Sequence, residues 1–294
     1  FASPEELIEL CKVAAEYDGM YISHLRNEDF QFLEAIDELI SVAKEANIRS
    51  EIYHFKQVGK TNWDKLDKSV AKIDSARAAG LYITADMYNY VASSTGFDII
   101  MPEWVQEGGF DKLVERLRDP EIRKTVGQDI INTIMKKQGS PEKVLVVGFD
   151  TDSLKYLQGK TLAEIAAIRG ISPEETVMDL VIDDGSRCSV VYFSMSEDNL
   201  KKEMTLPWMS FCSDGKSMAP EGVFLKSATH PRAYGNFARL LGKYVRDEKV
   251  IPLEDAIYKL TTLPATNMKI EKRGALKEGV YADVVVFDPA KVQD

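Results

Sequence analysis

The sequence predicts an α/β protein built as the second half of a (β/α)8 barrel, and three observations carry that reading. Short apolar runs alternate with segments of helical periodicity, the pattern of strand–helix–strand units around a parallel sheet. Two of the three histidines, His24 and His54, each close such a run, and the thirty residues between them are roughly one unit. Four good barrel strands are legible, ending at His24, His54, Met87 and Cys212, and the first element is a helix with no strand before it. A closed barrel of this kind needs eight strands.

The elements follow in order. Ser3-Pro4-Glu5-Glu6 opens a helix with a capping box and a proline at its first position, and the helix runs to about Tyr17. Met20–His24 reads as a strand. A polar loop, Arg26-Asn27-Glu28-Asp29, feeds a helix whose residues Phe32, Ile36, Leu39, Ile40 and Ala43 fall at helical spacing. Ile48–Phe55 is the next strand. Leu66, Val70, Ile73 and Ala76 mark a helix that stops near Gly80, and Leu81–Met87 is the third strand.

The rhythm then breaks. From about Ser93 to Gly185 the text is mostly helical and charged, with one apolar strand at Val144–Phe149. This segment reads as an insertion at about 95–185, a candidate lid between barrel strands. Ser189–Met195 is a further strand, in the main sheet or outside it, and Trp208–Cys212 leads directly into Ser213-Asp214-Gly215. Helices are expected from about Arg232 to Arg246 and from Pro252 to Leu263. Residues 1–270 are thus the barrel half, and 271–294, with Tyr281–Asp288, form a Gly-punctuated β segment.

Composition narrows the function. The 294 residues are 45% apolar and 29% charged, ordinary for a globular chain with ample core. A net charge of −10 argues against nucleic acid as the main partner, because phosphate recognition needs a basic face. No apolar stretch is long enough to predict a membrane span. There is no N-terminal signal pattern, and the first residue is Phe, so a processed chain or an internal piece is expected. Cys11, Cys188 and Cys212 are few and scattered, which favours a reducing, cytoplasmic compartment.

In a barrel the active groups stand at the C-terminal strand ends, where His24, His54 and Asp214 all fall. Two imidazoles on neighbouring strand ends are most of a hydrolytic metal site. Alternation along a strand puts Arg26 on the side of His24 and Lys56 on the side of His54, and cations there suit an anionic substrate. The plainer alternative is a pair of rim histidines satisfied by hydrogen bonds. Asp214 is placed to ligate a metal or to take a proton from metal-bound water; an Asp-Gly turn is the competing explanation. Arg232, where a helix begins, can grip a carboxylate bidentately, or can be a solvated helix-start charge. Tyr88 and Ser94 can donate to the same carboxylate. Glu28 reads better as a loop charge than as a group orienting a ligand, Cys212 and Cys11 read as core, and Asp86 has no distinguishing context.

Taken together, Ser23-His24-Leu25-Arg26-Asn27-Glu28, His54-Phe55-Lys56, Asp86-Met87-Tyr88, Ser213-Asp214-Gly215 and His230-Pro231-Arg232-Ala233-Tyr234-Gly235 form an ordered set. That set resembles the N-acyl-D-amino-acid deacylases of the amidohydrolase superfamily, over nearly the whole chain. The resemblance implies a metal-dependent (β/α)8 hydrolase barrel, a small β-sandwich to which the tail contributes, and Zn2+ as cofactor. It implies that His24 and His54 are the histidine ligands of strands five and six. Asp214 would be the strand-eight aspartate that acts as general base and touches a second, weaker metal. Lys56, Tyr88, Ser94 and Arg232 would contact the substrate carboxylate. The family's His-x-His of strand one and its metal-bridging cysteine have no counterpart in these residues. Barrel edges open to self-association are expected as a result.

The expected reaction of the intact protein is hydrolysis of an N-acyl-D-amino acid to a D-amino acid and a carboxylic acid. A cyclic-amide hydrolase of the hydantoinase or dihydroorotase type is the nearest alternative. A non-catalytic fragment that binds another chain is an alternative of a different kind.

Overall fold

The computed structural model describes residues 2–226 and 228–294. Strands β1 (Met20–Ser23), β2 (Arg49–Ile52) and β3 (Ile83–Met87) follow one another, and β4 (Ala92–Thr95), β5 (Val144–Gly148), β6 (Lys160–Thr161) and β7 (Ser189–Phe193) come before β8 (Met209–Phe211). The main sheet has the order β1-β2-β3-β8 and is parallel throughout, in the registers Ser23↔Ile52, Ile52↔Ala85 and Met87↔Phe211. The four predicted barrel strands are therefore one contiguous sheet, and all end on the same side.

Helices cover one face. The first, α1 (Pro4–Glu16), has Ser3 as its N-cap, its hydroxyl accepting from the Glu6 N–H. Next come α2 (Phe32–Glu45) and α3 (Leu66–Ala78). Ile52, Ile83, Ala85, Met87, Met209 and Phe211 pack against Phe32, Ile36, Leu39 and Ile73 of these helices in one core. Phe55 joins the two layers, with its ring 5.5 Å from Phe32 and 5.9 Å from Trp208.

The opposite face of the same sheet is polar and still buried. It carries Glu51, Thr84, Asp86 and Ser210, as strand alternation requires. Thr84 Oγ1 donates to Glu51 Oε2 at 2.7 Å.

Between β3 and β8 the chain builds a second unit with its own core, which includes Phe97, Ile130, Ile134, Val146, Val177 and Val190. Its helices are α4 (Glu103–Gln106), α5 (Phe110–Leu117), α6 (Pro120–Lys137), α7 (Leu162–Arg169) and α8 (Pro173–Asp184). Its sheet has the order β4-β7-β5-β6 and is antiparallel. The insertion is thus less helical than its sequence suggests, and its sheet spans Ala92 to Phe193, wider than 95–185. The reason is β7, which pairs outside the main sheet with both β4 and β5.

After the insertion, α9 (Glu197–Thr205) leads into β8, and α10 (Arg232–Arg239) continues as a π-helical stretch, Leu240–Asp247. The expected final helix is split into α11 (Leu253–Leu260) and α12 (Thr262–Asn267). Arg49 donates to the carbonyls of Thr266 and Asn267 at 3.1 Å, which ties α12 to the entry end of β2. Residues 281–288, expected as a strand, form no ladder with any described residue. Val284, Val285 and Val286 are exposed there, as they must be where no partner strand covers them.

Candidate metal and substrate site

Each main-sheet strand delivers one group to a shared cavity. His24 follows β1 directly, Tyr88 follows β3 directly, and His54 and Asp214 stand two and three residues beyond β2 and β8. His24, Glu28, His54, Lys56, Tyr88, Ser94, Asp214 and Arg232 all line this cavity of about 1240 Å³. Every residue singled out in the sequence as a site residue is in that set. The insertion forms its far wall, through Ile99, Ile100, Asn132 and Lys136 among others.

The two imidazoles face each other, with His24 Nδ1 2.9 Å from His54 Nε2. Behind His54 stands Glu28, whose Oε1 is 3.0 Å from His54 Nδ1 and 2.5 Å from Lys56 Nζ. Lys56 Nζ is itself 2.7 Å from His54 Nδ1. Burial by itself would raise Glu28, but the Lys56 ammonium and the hydrogen bond from His54 outweigh it and hold the carboxyl at about 2. Nδ1 has both an acceptor, Glu28, and a donor, Lys56, within reach; in the tautomer that donates from Nδ1 to Glu28 the Nε2 lone pair faces the space shared with His24, the usual way a carboxylate orients a ligating imidazole. One ligand atom each from His24, Glu28 and His54 lies within 4.8 Å of the others. Donors of this type, converging at this spacing, fit a divalent ion such as zinc.

Asp214 stands apart from that trio. Its Oδ2 is 2.7 Å from Arg232 Nη1. The Arg232 guanidinium lies 4.4 Å over the Tyr88 ring, and Lys56 Nζ lies 5.8 Å from the same ring centre. Burial pushes the Tyr88 phenol well above its ordinary value, so it remains a donor. Lys56, Tyr88 and Arg232 thus form a buried wall with two cations and one hydroxyl. Ser94 lies on β4, opposite Val191, and reaches the cavity from the insertion side.

The backbone is held in unusual states at two of these positions. His54 and Asp214 are left-handed, with φ of 38° and 43°. For residues with a Cβ this conformation costs about 1–2 kcal/mol and persists where the surroundings dictate it. Gly215 follows Asp214 because a Cβ there would sit 3.0 Å from Ala233 Cα, so the start of α10 closes directly onto this turn.

Two sequence expectations change. Arg26 does not extend over the imidazoles: its guanidinium makes a bidentate pair with Glu38 and also donates to the Ala2 carbonyl. Glu28 lies on the loop after β1 but is not a solvated charge: it is partly buried between Lys56 and His54. A further residue, Asp86, stood in one of the quoted motifs without an assigned role. Asp86 Oδ1 accepts from the His54 backbone N–H at 2.6 Å. His230, the third histidine, is buried away from the trio. Its Nε2 donates to the Ala92 carbonyl at 2.9 Å, and its Nδ1 accepts from the Arg232 N–H at 3.0 Å.

A parallel sheet that gathers two histidines, a carboxylate and two buried cations at its C-terminal strand ends has the layout expected of a barrel active site. Comparison with known proteins gives the following likenesses. The model of the Amidohydro_3 amidohydrolase family matches residues 223–294. The chain is 30% identical over 293 residues to an N-acyl-D-glutamate deacylase of Alcaligenes xylosoxydans xylosoxydans, covering 100% of this chain and 50% of that protein. It is 29% identical over 297 residues to a D-aminoacylase of the same organism, again covering 100% and 50%. Among solved structures, the N-acyl-D-glutamate deacylase of Bordetella bronchiseptica, complexed with zinc and a phosphonate inhibitor, superposes with a TM-score of 0.77 at 29% identity, covering 100% of this chain and 51% of that one. Over its whole length the chain is similar to N-acyl-D-amino-acid deacylases. It spans about half the length of the curated relatives it matches.

Proposed function

We propose that the intact protein hydrolyses the amide bond of N-acyl-D-amino acids, releasing a D-amino acid and a carboxylic acid. The observation that carries this reading is the pairing, in one cavity, of two convergent imidazoles, His24 and His54, backed by Glu28, with a buried Lys56–Tyr88–Arg232 wall. The relatives are N-acyl-D-amino-acid deacylases, and the Bordetella structure is of a zinc complex. His24 and His54 would hold zinc, with Glu28 orienting His54 and Asp214 as the carboxylate that a second, weaker ion would touch. When bound, zinc supplies Lewis-acid polarisation of the scissile carbonyl and lowers the pKa of a coordinated water.

The chain's own residues do the rest. Arg232 and Lys56, with hydrogen bonds from Tyr88 and Ser94, take the α-carboxylate and fix the scissile amide against the strand ends. To do so, Arg232 gives up part of its hold on Asp214. Asp214 accepts the proton of the attacking water and returns it to the departing amine. Arg232, once turned from Asp214, and the hydrogen-bond donors beside it favour a substrate that carries a free carboxylate, and so favour linear N-acyl amino acids over cyclic amides.

No helix among the described residues is long and apolar enough to cross a membrane. The three cysteines are unpaired, which supports a reducing, cytoplasmic setting. Among the described residues β1 and β8 are the edges of the main sheet, which supports association through strand edges.

The test is an assay of the intact protein with N-acetyl-D-methionine and N-acetyl-D-glutamate against hydantoin, before and after treatment with a chelator. Chelator-sensitive release of a D-amino acid is expected. Turnover of hydantoin alone would replace this reading with the cyclic-amide one. No turnover of any of the three, with zinc bound, would leave a non-catalytic role.

A further inference from the structure

We propose that Asp86 is a positioning residue that sets the ends of β2 and β8, and through them the imidazole of His54 and the carboxylate of Asp214. The inference rests on the metal-site reading of His24 and His54. Asp86 is 6% exposed and is not among the residues that line the cavity, so it acts from behind the wall. It holds the end of β2 by two bonds: Oδ1 accepts from the His54 N–H at 2.6 Å, and its backbone carbonyl accepts from the Phe55 N–H at 2.8 Å. On the other side Asp86 pairs in register with Ser210 of β8, and the Cys212 N–H donates to the carbonyl of the neighbouring Met87 at 2.9 Å. Asp214 begins its left-handed turn two residues later.

One carboxylate therefore sits between the two departures from regular backbone at the site. A left-handed residue with a Cβ needs its surroundings to impose that conformation. At His54 the group that does so is Asp86, because the bond goes to the peptide N–H of the turn itself. Without that acceptor the turn relaxes toward ordinary φ. The imidazole then swings off the axis shared with His24, and Glu28 loses its partner at Nδ1. What is required of residue 86 is an acceptor at one place. Asn provides it at the same length, Glu displaces it by a methylene, and Ala removes it.

The experiment has two arms on the intact protein. In the metal-free arm, NMR follows the exchange rate and proton shift of the His54 amide. Wild type and Asp86→Asn should keep it protected and downfield, whereas Asp86→Ala and Asp86→Glu should lose both. In the second arm, zinc affinity is measured by competition with a chelating dye. Asp86→Asn should stay within about threefold of wild type, and Asp86→Ala should weaken about 10- to 100-fold, the usual effect of removing a group that orients a metal ligand. Asp86→Glu should follow Ala, and it serves in place of Ala should that variant not fold. An unchanged His54 amide in both Ala and Glu variants overturns the proposal. So does an Asn variant as weak in zinc as Ala, which would make charge the operative property. A wild type that binds no zinc removes the metal reading alone, and the amide arm still decides the role of Asp86.

Discussion

Glu28 and Lys56 meet at 2.5 Å beneath the imidazole of His54, one on the loop after β1 and the other four residues beyond the end of β2. The pair ties neighbouring strand ends together and lies almost wholly out of solvent, with side chains 12% and 7% exposed. It neutralises charge at the floor of the cavity and leaves the ring above it orientable.

Glu28→Gln should therefore destabilise the fold by about 3–5 kcal/mol, the range for orphaning one member of a buried ion pair. Urea unfolding at pH 7 measures it. In wild type the same carboxyl is held near 2, below its unfolded value of 4.5. Its contribution is present above 4.5 and is lost as pH falls toward 2.

Asp214→Ala in the intact protein should lower kcat by about 10²- to 10⁴-fold, the usual worth of a positioned general base. Steady-state kinetics with N-acetyl-D-methionine would settle it, and a loss below tenfold would remove Asp214 from that role.

Arg232→Ala should raise KM for a carboxylate substrate by at least an order of magnitude, because a charge-assisted hydrogen bond is lost from a buried wall. An N-acyl amine lacking the carboxylate should be insensitive to the change. An equal loss on both substrates would mean that Arg232 matters through its ion pair with Asp214 and not as a clamp.

His230 gives a pH signature unrelated to the metal. Burial, aided by the Arg232 cation, depresses it from 6.5 to about 4. The unfolded chain takes up a proton at 6.5 that the fold refuses until about 4, so stability falls as pH drops through that window. The size should be roughly 2–3 kcal/mol. His230→Gln, which keeps an amide donor for the Ala92 carbonyl, should flatten the acid limb of the unfolding curve.

Glu51 acts in the opposite direction. Burial, with the Asp86 charge nearby, raises it from 4.5 to about 7 against the opposing hydrogen bond from Thr84. A raised carboxyl favours the fold most below 4.5 and loses that advantage as pH climbs through 7. Glu51→Gln should be nearly neutral at pH 4 and stabilising by ~2 kcal/mol at pH 8, read from chemical unfolding at the two pH values.

The barrel strands were legible because a β/α repeat writes its period into the chain: an apolar run, a polar loop, a helical stripe. The placement of His24, His54 and Asp214 just past the strand ends was legible for the same reason, since each closes an apolar run. The insertion's sheet was not. Its strands β4 and β7 are distant in sequence and meet only through antiparallel pairing, which leaves no local periodicity. Glu28 looked like any acid in a polar loop, because its partner Lys56 lies on the next strand–helix unit. The role of Asp86 was invisible for a different reason: its partner is a peptide N–H, and no side-chain pattern reports a backbone donor. Arg26 was misplaced because strand alternation was extended past Ser23, where β1 stops and the chain turns toward Glu38.

The pairing of Ala92 with Phe193 has an evolutionary consequence. Entry to and exit from the insertion stand side by side, so the whole excursion is a cassette joined to the barrel at one hinge-like seam. Mutation can lengthen, trim or exchange it among cousins without disturbing how the four parallel strands fold. Because it supplies the far wall of the cavity, Ser94 included, such an exchange would retune which molecules fit there while the groups on the parallel strands stay as they were.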